Sequence, residues 1–75
     1  MGKINPVSAR KAIQKLLALG FFEVRRKGSH VYLRSKATKK IVSIPTHGSK
    51  DIPTGTLYNI VIKQAGLTAD EFNRA

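Results

Sequence analysis

No cysteine occurs in the 75 residues, which removes disulfide staples, thiolate zinc sites and a cysteine nucleophile together. Stability must then come from helices packed on a sheet, and the cell interior is the expected compartment. Carboxylates are nearly as scarce, with Glu23, Asp51, Asp70 and Glu71 making up the whole set. Apart from the neighbours Asp70 and Glu71 they show no metal-ligand spacing, and two histidines do not make a zinc site, so no metal is expected. Gly28, Gly48, Gly55 and Gly66 are isolated, matching neither dinucleotide nor nucleotide-triphosphate loops, so no cofactor is expected either. The serine nucleophile motif is also missing. No uncharged apolar run is long enough to span a bilayer. The start, Met1-Gly2-Lys3-Ile4-Asn5-Pro6, lacks both a signal peptide's apolar stretch and the hydroxyl residue of a myristoylation site. A single soluble, cytoplasmic domain over residues 1–75, with no membrane partner, is the reading.

What the chain has in excess is positive charge. Fourteen Lys and Arg against four Asp and Glu give a net charge of +10, and residues 1–50 carry all of that excess. Seven of the fourteen, Arg25, Arg26, Lys27, Arg34, Lys36, Lys39 and Lys40, fall between positions 25 and 40. They are interleaved with Val24, Val31, Tyr32 and Leu33, which places them on structured segments and points to a polyanionic partner.

Ala9, Ala12, Ile13, Leu16 and Leu17 recur at helical spacing with Arg10, Lys11, Gln14 and Lys15 opposite. With Ser8 as cap and Gly20 as stop, the spacing predicts a helix over 8–19. Two alternating β-prone runs, 21–27 and 30–34, are joined by Gly28-Ser29 and read as a hairpin with a type II′ turn. Ile41-Val42-Ser43-Ile44, closed by Pro45, is a third strand. With Val24, Val31, Leu33, Val42 and Ile44 inward, alternation turns Arg25, Lys27, His30, Tyr32, Arg34 and Ser43 to the other face. After a polar loop, a largely buried helix is expected over 54–65, with Leu57, Tyr58, Ile60, Val61 and Ile62 apolar and Asn59, Lys63 and Gln64 polar. Thr68-Ala69-Asp70-Glu71 is a capping box for a last helical turn anchored by Phe72. The fold class is α+β: an α-β-β-β-α order, a three-stranded antiparallel sheet with helices on one face and the other face free.

Two histidines remain as candidates for chemistry, His30 beside the hairpin turn and His47 after the third strand. A neutral imidazole can take a proton from a ribose 2′-hydroxyl. Each has a plainer reading, as a half-exposed strand residue and a loop residue. Likewise Gly28-Ser29 is first of all a hairpin turn, and Tyr32, which can stack on a base, is also an ordinary sheet residue.

Five segments taken in order narrow the choice: Leu19-Gly20-Phe21; Arg25-x-x-Gly28-Ser29-His30; Ile44-Pro45-x-His47; Gly55-Thr56-Leu57-x-x-Ile60; and Gly66-Leu67-Thr68 with Glu71-Phe72. Over about residues 8–72 the chain resembles the HicA family, mRNA-cleaving toxins of type II toxin–antitoxin systems. The resemblance implies a fold like the double-stranded-RNA-binding domain, a ribonuclease whose catalytic histidine falls on His30, and a HicB-type antitoxin partner. Many members have two consecutive histidines, whereas Val31 follows His30 here, so a second catalytic group is sought elsewhere; His47, on the Pro-x-His match, is the candidate. The expected activity is metal-independent cleavage of mRNA, with Arg25, Lys27, Ser29, Tyr32 and Arg34 as RNA-binding residues. The alternatives are a non-catalytic double-stranded-RNA-binding module and a basic surface that docks on an acidic protein. Against the former, the turn Thr54-Gly55-Thr56-Leu57 lacks the basic cluster such modules carry at the start of their last helix.

Overall fold

Ser8, with extended backbone angles, accepts a hydrogen bond from the Lys11 N–H at 3.2 Å, and helix α1 (Ala9–Ala18) starts there. The computed structural model describes residues 3–46 and 50–75. Ala9, Ala12 and Leu16 form the buried stripe of α1, while Leu17, expected on that stripe, is 49% exposed. Gly20, at φ +93°, takes the left-handed conformation that ends the helix and turns the chain into the sheet.

Three antiparallel strands, β1 (Phe21–Lys27), β2 (His30–Ser35) and β3 (Ile41–Pro45), lie in the order β1-β2-β3. Lys27 pairs with His30 across the two-residue turn. Gly28 has φ +56° and Ser29 stays at negative φ, the pattern of a type II′ turn. Val31, Leu33, Val42 and Ile44 point inward and are fully buried. Val24 does not join them. The register shifts between Glu23 and Arg25, leaving Val24 as the extra residue of a β-bulge, 42% exposed. The reason is parity: Phe21 is buried opposite Ser35, and an unbroken alternation would turn Lys27, six residues on, to that same inner face.

The expected helix over 54–65 forms as one continuous element of two kinds, but it is not largely buried: seven of its twelve residues are exposed, because only one side of it packs on the core. Thr54–Tyr58 is α-helical, here α2, and Asn59–Gln64 continues it as a π-helix. The Ala65 N–H bonds the Ile60 carbonyl at 2.8 Å, five residues back. Leu57, Ile60 and Val61 are buried against the sheet, whereas Tyr58, expected in the apolar set, is 49% exposed. Gly66, at φ +71°, stops the element. Helix α3 (Ala69–Arg74) has the expected capping box: Thr68 Oγ1 accepts from the Glu71 N–H at 3.1 Å and Glu71 Oε1 from the Thr68 N–H at 2.9 Å.

Phe72, fully buried, seats α3 in the core. From α1, Lys15 Nζ donates to the carbonyls of Phe72, Asn73 and Ala75 at 3.3, 3.2 and 3.0 Å, and lies 5.5 Å from the Phe72 ring centroid. The observed layout is the expected α+β, α-β-β-β-α arrangement, with an open three-stranded sheet. Among the described residues no helix is long and apolar enough to cross a membrane.

Candidate active site

Cross-strand partners share a face of a sheet, so the register sets out the open surface in rows. Lys27, His30 and Pro45 form the row next to the hairpin turn; Arg25, Tyr32 and Ser43 form the second; Phe22, Arg34 and Ile41 form the third. The bulge at Val24 is what brings Arg25 and Lys27 onto this face. All of the expected cations are there. Arg26 is not, because it pairs with inward-facing Val31 and makes an ion pair with Glu23 at 3.3 Å, the one ion pair among the described residues.

His30 is exposed at the first position of β2. Its ring centroid is 6.4 Å from that of half-buried Tyr32, and the Arg25 guanidinium carbon sits 5.8 Å from the Tyr32 ring. That spacing suits a cation–π contact, which fixes Arg25 over the middle of the face. His30, Lys27 and Arg34 are exposed and make no side-chain hydrogen bond to a described residue. Ser29 holds the turn against β3 through its carbonyl, which accepts from the Thr46 N–H at 2.6 Å and from Thr46 Oγ1 at 2.8 Å. His47 lies outside the described residues. Among the described residues no three His, Asp or Glu side chains converge as a metal site would require.

A family model described as the HicA toxin of bacterial toxin–antitoxin systems matches residues 9–67. The chain belongs to the HicA toxin family. A HicA-family protein is the toxin of a toxin–antitoxin pair, so this chain has an antitoxin as partner. Curated proteins give no significant match.

On the β3 side of His30, this HicA-family toxin has an open groove of about 420 Å³. One wall is His30, Ser43 and Pro45 from the sheet; the other is Pro53, Thr56, Asn59, Ile60 and Gln64 from α2, its π-helical continuation and the residue before them. Gln64 ties the walls together, its Oε1 accepting from the Ser43 N–H at 2.9 Å. The sequence marked Asn59 and Gln64 only as polar positions of the second helix and assigned neither them nor Thr56 to a site. Their meeting with His30 depends on how the second helix crosses the β3 edge, for which the sequence pattern carries no signal.

Proposed function

We propose that this HicA-family toxin is an endoribonuclease that cuts mRNA at unpaired sites with His30 as general base. His30 takes the proton of a ribose 2′-hydroxyl; the 2′-oxygen attacks the adjacent phosphorus and the P–O5′ bond breaks. The products are a 2′,3′-cyclic phosphate and a 5′-hydroxyl. Lys27, beside His30 in its row, and Arg25 in the next face the negative charge that builds on the phosphorane, where a fixed cation lowers the barrier. Arg34, Tyr32 and Ser29 extend the contact to the flanking chain. The departing 5′-oxygen needs a proton, and His47 is the remaining histidine that can give one. Neutralisation follows from the same surface: a HicB-type antitoxin that covers the open face removes base and cations at once.

The observation that carries this reading is an exposed histidine with no side-chain hydrogen bond to a described residue, in a row with a lysine on the open, basic sheet face, in a toxin family. A short β1–β2 turn of two residues and an α2 start without cations both weigh against a groove-straddling duplex binder. Incubation of the purified chain with single-stranded RNA in excess EDTA is the test. Wild type is expected to cleave, and His30→Ala to lose roughly 10²- to 10⁴-fold in rate while unfolding at the same temperature. Wild-type-like cleavage by folded His30→Ala removes His30 from the chemistry. Shift without cleavage by wild type establishes a binding module instead.

A further inference from the structure

The two sides of His30 are chemically unlike. Toward β1 stand Lys27 and Arg25; toward β3 the groove wall is neutral, made of amides, hydroxyls and two proline rings. A phosphate seeks the first side, because its charge is matched there. The second side suits a flat, uncharged group with hydrogen-bonding edges. We propose that the groove between β3 and the π-helical segment receives an unpaired nucleobase next to the scissile phosphate, and that Asn59 determines which base is accepted. This rests on the ribonuclease reading above and adds to it a base-reading subsite.

Backbone geometry supports the assignment of Asn59. An α-helix turns ~100° per residue, so over five residues Asn59 and Gln64 would stand about 140° apart and one of them would leave the groove. The π-turn closes on the fifth residue, as the Ala65 to Ile60 hydrogen bond shows, and both side chains line the groove. Local π-helical turns occur frequently at functional sites. Of the two amides, Gln64 is committed through its oxygen to the Ser43 N–H, whereas the exposed Asn59 side chain makes no hydrogen bond to a described residue. An amide so placed can pair with the donor–acceptor edge of a base. Pro45 and Pro53 give apolar surface for the base faces, and Thr56 adds a hydroxyl at the rim. At about 420 Å³ the groove falls within the roughly 300–1,000 Å³ of small-molecule sites.

Cleavage of a randomised single-stranded RNA pool by the full chain, mapped by sequencing, tests the proposal. Wild type and Lys63→Ala are expected to share a preference among the four bases of roughly tenfold at one position beside the cut. In Asn59→Ala that ratio should fall to about twofold or less, and Asn59→Asp, which loses the amide donor, should change it as well. An unchanged base preference in both folded Asn59 variants overturns the proposal, as does a wild type with no preference at that position. A change confined to antitoxin affinity would assign the groove to the protein partner, and overturns it too. Binding of A, C and U pentanucleotides to His30→Ala, with and without Asn59→Ala, reads the groove apart from chemistry. A base preference that needs Asn59, in a chain whose wild type never cleaves, upholds the groove and removes the catalytic reading. Cleavage without any such preference does the reverse.

Discussion

Lys15 and Lys27 carry the same formal charge and do opposite things with it. The ammonium of Lys15 meets three carbonyls at the end of α3, where the helix dipole is negative, so its charge is matched within the fold. Lys27 makes no side-chain hydrogen bond or ion pair with a described residue, which leaves its charge unmatched by them. Lys15→Met, which keeps the apolar stem, should therefore lower unfolding stability by on the order of 1 kcal/mol, measured in urea, with RNA affinity changed little. An unchanged midpoint would mean that the three contacts contribute nothing. The sequence set Lys15 on the polar face of the first helix but not against the last one, because that pairing joins positions nearly sixty residues apart. His30 and Tyr32 were legible for the contrary reason. Their orientation follows from alternation within one strand whose inner residues, Val31 and Leu33, are unambiguous.

At the scale of elements, caps and turns were written locally and are found where the sequence put them. Ser8 starts α1, Gly28 turns the hairpin, and Thr68 with Glu71 starts α3. Thr68→Ala should cost about 1 kcal/mol in the same unfolding experiment, since it leaves the Glu71 N–H without its partner. A loss indistinguishable from zero would show that water serves that donor as well. Two elements were only half legible. In β1 alternation set Val24 inward, but the conflict between a buried Phe21 and an outward Lys27 is resolved by a bulge at Val24 that no alternation pattern encodes. In the second helix the apolar residues cover most of the circumference, so they constrain neither its α nor its π bonding. Only the packing of Ile60 and Val61 against the sheet and the crossing at β3 settle it.

For the whole molecule the question is which cations a partner meets. Arg25, Lys27 and Arg34 lie on the open face, while Arg26 pairs with Glu23 on the other side and Lys15 is tied into α3. A net charge of +10 alone would bind any polyanion loosely; the ribonuclease proposal assigns the contact with RNA to the three cations of the open face. Each phosphate contact to a single strand contributes roughly −0.7 to the slope of log affinity against log salt. Lys27→Ala and Arg34→Ala, measured in a His30→Ala background to prevent cleavage, should each flatten that slope by about this amount, and Lys63→Ala should not. Equal flattening by Lys63→Ala would move the working surface off the sheet. The antitoxin should compete with RNA for the same face, and binding of both together would have the same meaning.

The tie between Gln64 and Ser43 has a consequence for how such a molecule behaves in a crowd. On β3, Val42 and Ile44 pair toward β2, so the outward backbone positions are 41, 43 and 45. Ser43's N–H is taken by Gln64, and Pro45 has none to give. Only Ile41 is left to offer a donor, and a foreign strand finds no continuous ladder to extend. The opposite edge, β1, is bent by its bulge and lined with Arg25, Arg26 and Lys27, so copies approaching there repel one another. A sheet with one face open is thereby poorly suited at both margins to pairing edge to edge with a second copy.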